Sequence, residues 1–122
     1  MVQKGIDGLE FEVLEKDRVV CRVYYEGRRR CIDYLGSKLD KAFCPMGTSD
    51  RDIEEFFVER TVPETRVNIK QILKSAGLSE FNALELCKRY KGMLNEDVYW
   101  IRFPWDKGKT YAEALSELRI LK

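Results

Sequence analysis

The chain has 122 residues, 44% of them hydrophobic, enough for one domain whose core needs no covalent staples. Lys plus Arg number 22 and Asp plus Glu 21, leaving a net charge of +1. That balance excludes a whole-molecule DNA mimic, which needs a strongly negative surface, and a bulk polyanion binder, which needs a positive one, while leaving room for a local basic patch.

From the N-terminus, MVQKGIDGLEFEV contains no apolar run of signal-peptide length, and no later stretch approaches membrane-spanning length. The expectation is a cytoplasmic protein with no membrane partner. Leu9, Phe11 and Val13 alternate with Glu10 and Glu12, the pattern of a half-buried strand. Lys16-Asp17 reads as a turn. Arg18 to Tyr25 (RVVCRVYY) is rich in β-branched and aromatic residues and reads as a second strand. Glu26-Gly27 signals a tight hairpin, because glycine tolerates positive φ. Arg28 to Leu35 (RRRCIDYL) returns as a third strand. A two-residue turn at Glu26-Gly27 pairs Tyr25 with Arg28. It sets Val19, Cys21 and Val23 opposite Tyr34, Ile32 and Arg30 on one face, with Cys31 on the other. A three-residue loop from Tyr25 to Gly27 would instead bring Cys21 opposite Cys31. The first register gives the cleaner apolar face and is preferred.

Gly36 to Thr48 is a connector. The stretch from Ser49 to Gly77 reads as two helices joined at Val62-Pro63. Ile53, Phe56 and Phe57 form one apolar stripe, and Ile69, Ile72, Leu73 and Ala76 form the other. Ser49 is the expected N-cap, with Asp52 reaching back; Pro63 suits a first helical turn; Gly77 supplies the left-handed stop. A third helix spans Asn82 to Tyr90, with an Asn82/Glu85 capping box and a Phe81–Leu86 staple, and Gly92 as terminator. Asn95-Glu96-Asp97 is a turn. Val98 to Phe103 is a strand with apolar groups on both faces, so it is expected to be largely buried, and Pro104 ends it. A last helix is capped by Thr110 with Glu113 and shows a Tyr111, Leu115, Leu118 stripe. The predicted fold is α+β and a single domain over 1–122. It comprises an N-terminal three-stranded antiparallel meander (1–35), a helical region of three helices (49–92), and one buried strand plus a C-terminal helix (97–121) around a single core.

Several constellations can carry chemistry. Cys21, Cys31, Cys44 and Cys87 offer four thiolates for a structural zinc, but no pair sits in a C-x2-C knuckle. The bland reading is four buried or incidental reduced thiols, with Cys87 beside Leu84 and Leu86 a small core residue. A cysteine nucleophile is disfavoured because the chain has no histidine to activate it. Glu54, Glu55, Glu59, Glu96, Asp97 and Asp106 can supply acid–base or magnesium chemistry. In a chain that is 35% charged, they read first as solvated helix and turn faces. Arg28, Arg29 and Arg30, with Arg22 across the hairpin and Tyr24 and Tyr25 nearby, can hold phosphates and stack on bases; the bland reading is an edge hairpin kept soluble by charge. In the cluster Tyr99, Trp100, Phe103 and Trp105, only Trp105 stands in a polar loop, so it is the expected exposed aromatic. No Gly-rich phosphate loop, zincin helix or nucleophile elbow is present.

The segment ERTVPETRVNIKQILKSAGL, followed by a short capped helix and KGMLNEDVYWIRF, carries a spaced pattern: Arg60, Pro63, Arg66, Gly77, Leu78, Gly92, Asp97, Tyr99 and Trp100. From Phe56 to Phe103 it resembles the small segment preceding the kinase core in HipA-like and CtkA-like serine/threonine kinases. It also resembles short free-standing proteins of Firmicutes phages and integrative elements. The kinase core itself is absent: no lysine–glutamate pair in kinase context, catalytic-loop Asp/Asn or metal-binding Asp motif is found. The resemblance therefore implies no kinase activity. It implies a non-enzymatic, stand-alone module of mobile-element origin, a class that includes inhibitors of host defence such as anti-CRISPR proteins that bind a Cas nuclease. Three functions are carried forward. The first is an anti-CRISPR-type inhibitor of a type II Cas nuclease that contacts its host protein partner through Arg22, Arg28, Arg29, Arg30 and Trp105. The second is a regulatory partner module of a HipA-like kinase. The third is a small nucleic-acid binder using the Arg/Tyr hairpin.

Overall fold

The computed structural model describes residues 6–94 and 96–121. Asn95, in the expected turn before the last strand, lies outside them. Four strands form one antiparallel sheet: β1 Phe11–Glu15, β2 Arg18–Glu26, β3 Arg29–Tyr34 and β4 Tyr99–Arg102, in the order β3-β2-β1-β4. The N-terminal meander is therefore present, and the last strand joins it beside β1. The helices are α1 Lys38–Lys41, α2 Asp50–Glu59, α3 Ile69–Ser75, α4 Ala83–Tyr90 and α5 Tyr111–Leu121, with a 3-10 turn at Pro104–Asp106. Among the described residues no helix is long and apolar enough to cross a membrane.

The main core lies between one sheet face and helices α2 and α4. Phe11 stands at its centre, with ring centroids 5.8 Å from Phe56, 5.2 Å from Phe57 and 6.2 Å from Phe103. Val13, Cys21, Val23 and Ile101 supply the rest of the sheet side, and Ile53, Ala83, Leu84 and Cys87 the helix side. Such a mostly aromatic and branched layer is the dominant favourable term in a domain of this size. A smaller cluster on the opposite sheet face joins Leu14, Trp100 and Ala114 of α5, with Val19, Met93 and Tyr111 at its rim. β4 is thus apolar on both sides, as its sequence predicts: Tyr99, Trp100 and Ile101 are all buried.

Two register details differ from the sequence expectation. The hairpin turn falls one residue later, at Gly27-Arg28, because the closing pair is Glu26 with Arg29. Gly27 has φ +64° and Arg28 does not share the positive φ, the glycine-first arrangement of a type II′ turn. The whole ladder moves by two residues in sum, so faces are preserved and Cys21 meets Tyr34 rather than Ile32. The second difference is a β-bulge: Val13 pairs with Cys21 and Leu14 with Val19, leaving Val20 unpaired against β1. One extra residue reverses the alternation. Val20 and Cys21 both enter the main core, and Val19 turns to the Trp100 side instead of sharing a face with Cys21.

The helical region begins as predicted: Ser49 accepts the Asp52 N–H at 3.0 Å. It then departs from prediction, since α2 ends at Glu59 and α3 starts only at Ile69. Residues 63–68 are all exposed, so no apolar stripe pins them as helix, and Pro63 sits instead in a turn closed by Arg66 N–H to Pro63 C=O at 3.1 Å. Gly77 does end α3. With φ +76° it gives Leu78 N–H to Leu73 C=O at 2.8 Å and Gly77 N–H to Lys74 C=O at 3.0 Å, both bonds of a Schellman cap. The connector holds an additional short helix, α1, capped reciprocally by Ser37 and Asp40. Asn82 caps α4 at 3.1 Å, but Glu85 turns its carboxylate to Lys88 at 3.1 Å. Thr110 and Glu113 form the expected capping box on α5.

Gly92 is fixed twice, by φ +63° and by Ile101, whose Cδ1 would lie 2.6 Å from a Cβ at that site. Gly108 has φ +82° with open space around it. Gly92→Ala is expected to cost more than the roughly 1–3 kcal/mol of backbone strain alone, and Gly108→Ala only that strain. Urea unfolding of the two variants measures the difference; equal midpoints would contradict the packing role of Gly92.

Candidate functional site

The five residues predicted to contact a partner occupy one end of the sheet, but in different states. Arg22 lies on the face opposite the main core, and its Nη2 is 3.3 Å from Glu12 Oε2. Arg30 is the best anchored of the set, with a side chain only 8% exposed. Its Nη1 stands 2.9 Å from Asp50 Oδ1 and donates to Thr48 C=O at 2.8 Å, and its Nε donates to Tyr25 Oη at 2.9 Å. Arg30 thus ties the hairpin to the start of α2, and its charge is already engaged. Arg28, in the turn, and Arg29, beside it, are exposed and belong to no ion pair among the described residues. Trp105 is 58% exposed; it lies flat on Phe103 at 4.9 Å between centroids, with Lys88 Nζ 5.8 Å from its ring centroid. The aromatic expected in solvent is there, two strands away from the hairpin.

The cysteines do not converge. Cys21 and Cys44 are neighbours in the main core, where Cys44 Sγ donates to Asp40 C=O at 3.3 Å; the proximity of the two thiols raises the Cys21 pKa and lowers that of Cys44. Cys87 donates to Phe57 C=O at 3.3 Å, and burial pushes its pKa up. Cys31 projects from the other face of β3, opposite Tyr24. Among the described residues no three His, Cys, Asp or Glu side chains stand together as a metal set. Cys31 thus lies on the sheet face opposite the one that carries Cys21.

The buried charges are bound into ion pairs. Arg60, 4% exposed and at the C-cap of α2, donates Nη1 and Nη2 to the two Asp97 oxygens at 2.9 Å each. Its Nε reaches Gly92 C=O at 3.0 Å and its Nη2 reaches Tyr99 C=O at 2.7 Å. Asp40, 3% exposed, accepts from Tyr99 Oη at 2.6 Å, from Ser37 N–H at 2.8 Å and from Arg18 at 3.1 Å. The Tyr99 hydroxyl above all, then Ser37 and Arg18, holds the Asp40 carboxyl well below the usual carboxylate range. Tyr99 is pushed the other way, by burial and then by Asp40. Burial opposes ionisation of Asp97, yet the Arg60 and Tyr99 N–H bonds leave its pKa lowered. Lys91, left-handed at φ 57° and 7% exposed, spans both Asp106 oxygens at 3.1 Å and meets Glu117 at 3.3 Å.

A groove of about 400 Å³ runs between α3, the segment after α4, and α5. It was not predicted. Four of the nine residues of the spaced pattern, Arg60, Arg66, Asp97 and Tyr99, line it with Met93 and Tyr111. The remaining pattern residues serve the fold: Gly77 and Leu78 cap α3, Gly92 admits Ile101, Pro63 accepts in a turn, and Trp100 donates Nε1–H to Lys16 C=O at 2.6 Å. The signal that could have found the groove was the clustering of that pattern on both sides of α3.

No family model matches this chain, and neither a curated protein nor a solved structure matches it.

Arg60→Ala strands Asp97 and two carbonyls, and is expected to cost about 3–5 kcal/mol in urea unfolding. A loss below about 1 kcal/mol would contradict the structural role, since that is the worth of a surface pair. Asp40 and Asp97 have depressed folded pKa values, so their stabilisation is complete above the unfolded value near 4 and is lost as pH falls through the folded values. Stability is therefore expected to be flat above about pH 5 and to fall below about pH 4. The deficit of Asp97→Asn relative to the parent should be largest at pH 7 and shrink on acidification. A deficit that grows toward low pH would reverse the assigned sign.

Proposed function

We propose that the chain is a non-enzymatic protein-binding inhibitor of mobile-element origin that blocks a host defence effector, with a type II Cas nuclease as the most specific instance. One observation carries the binding half of this reading: the partition of the charges. Asp40, Asp97, Asp106, Arg60, Lys91 and Arg30 are all committed to internal bonds, whereas Arg28 and Arg29 are exposed and belong to no ion pair among the described residues. A catalytic carboxylate or lysine needs a free oxygen or nitrogen facing a cleft. Arg28 and Arg29 project from a ribbon that Arg30 ties to the start of α2, an arrangement that suits a docking surface. Such arginines set partner choice and association rate more than raw affinity. The inhibitor half rests on the resemblance to short mobile-element proteins.

A second reading is favoured by the groove. Four residues of the kinase-associated pattern line it, and a detached regulatory module would dock a kinase core there. Arg66, at the groove and exposed, is the residue that separates the two readings.

The test is an affinity capture from a Firmicutes host lysate, read by mass spectrometry and followed by a nuclease cleavage assay. Enrichment of a defence effector, lost with Arg28→Ala/Arg29→Ala and kept with Arg66→Ala, is the expected outcome. Capture of a kinase-core protein that depends on Arg66 would replace the first reading with the second. Co-purification of nucleic acid alone, with steep salt dependence, would overturn both. The double arginine variant is expected to unfold at the parental temperature. Arg30→Ala should unfold earlier, because it releases Asp50, Thr48 and Tyr25 together.

A further inference from the structure

The two edges of the sheet are treated differently by the fold. The β4 edge is closed: Ile101 N–H donates to Lys91 C=O at 2.7 Å, and Tyr99 C=O accepts from Arg60 Nη2 at 2.7 Å. The β3 edge is not. Leu35 N–H donates inward to Val20 C=O at 2.9 Å, and the hairpin closes on the Glu26–Arg29 pair, so Arg29, Cys31, Asp33 and Leu35 turn their backbone groups toward β2. The N–H and C=O of Arg30, Ile32 and Tyr34 therefore point outward, and no described residue bonds them. At its middle this edge has no proline and carries a half-buried Ile32 beside Cys31, with Asp33 as the one charge next to them. Arg28 and Arg29, in no ion pair among the described residues, stand at its hairpin end; its other charges are Arg30, paired with Asp50, and Asp33, which accepts from Tyr24 Oη at 3.3 Å.

Resting on the reading of the hairpin as a protein-docking surface, we propose that the outer edge of β3 receives an extended segment of the partner protein, which adds antiparallel to Arg30, Ile32 and Tyr34 as a fifth strand and places acidic residues beside Arg28 and Arg29. Six outward backbone groups supply the affinity of strand addition, and side-chain pairing supplies the choice. An antiparallel strand runs toward the hairpin, so its acids lie at its C-terminal end. Its alternate β-branched residues cover the apolar surface that Ile32 and Tyr34 leave half exposed. A charge-only contact with the arginines would leave the edge amides as they are.

The probe is a synthetic peptide, acetyl-Thr-Val-Thr-Val-Thr-Glu-Glu-amide, titrated to millimolar concentration into the full chain, with amide hydrogen exchange followed by NMR. At saturation the amides of Arg30, Ile32 and Tyr34 are expected to slow about tenfold or more, while those of Arg29, Cys31 and Asp33 stay unchanged. Arg28→Ala/Arg29→Ala is expected to weaken peptide binding severalfold without changing exchange in the free protein. Shifts at Arg28 and Arg29 without protection at the three outward amides would overturn strand addition and leave the docking reading standing. No response to the peptide would also overturn it, and lysate capture would still test the docking reading independently. Sedimentation showing a dimer with the same three amides protected before any peptide is added would assign the edge to a second copy and overturn the acidic-segment proposal. Protection produced equally by a single-stranded oligonucleotide would do the same in favour of nucleic acid.

Discussion

The bond set that the rest of this structure leans on is made by one guanidinium. Arg60 leaves the C-terminus of α2 and meets Asp97, the Gly92 carbonyl and the Tyr99 carbonyl. Removing a cation from water costs several kcal/mol, and only saturated hydrogen bonding offsets that cost. Here every bond also crosses between elements. α2 is joined to the loop after α4, that loop to β4, and Asp97 in turn takes the Tyr99 N–H. Arg60 therefore sets where β4 begins. Once β4 is placed against β1, Trp100 falls between the sheet and α5, and Phe103 falls among Phe11 and Phe57.

A second constraint is the bulge at Val20. A regular ladder would continue Val13–Cys21 as Leu14–Val20 and keep Val19 on the same face as Cys21. The extra residue lets both sheet faces be apolar at the β1–β4 side, where α5 covers one and α2 with α4 the other. Further along β2 and β3 the second face has no helix over it, and it carries Arg22, Tyr24 and Asp33, joined as Arg22–Glu12 and Tyr24–Asp33 pairs. The molecule is therefore lopsided by construction: one side of the sheet is locked in by helices and ion pairs, and the other is a solvated ribbon.

Much of this was legible in the sequence, and what was missed has a common cause. Ser49, Asn82, Thr110 and Gly77 act over a few residues, so their capping roles follow from local chemistry. The burial of Val98 to Phe103 showed as apolar groups on both faces. The late start of α3 was hidden because Pro63 fits a first turn as well as a loop, and only the lack of an apolar anchor in residues 63–68 decides. The turn at Gly27-Arg28 differs from the expected one by a single residue, because glycine can take either central position. The Arg60–Asp97 pair spans 37 residues, and the Asp40–Tyr99 bond spans 59. Neither spacing has a periodicity to betray it. The same holds for the groove, whose lining residues come from three separate segments.

These features bear jointly on how the protein can act. Arg60, which fixes β4, also bonds the outward Tyr99 C=O, and the Lys91 C=O takes the outward Ile101 N–H. Arg30, the one hairpin arginine drawn inward, stiffens the ribbon by tying it to Asp50 and Thr48, which leaves Arg28 and Arg29 projecting from a rigid rather than a floppy support. A pre-ordered support lowers the entropy lost on association, so a few exposed contacts suffice for recognition. The asymmetry between a closed edge and an open one thus follows from the same bonds that hold the fold. On the proposed docking reading, a strand-like partner would meet β3 beside Arg28 and Arg29, which belong to no ion pair among the described residues.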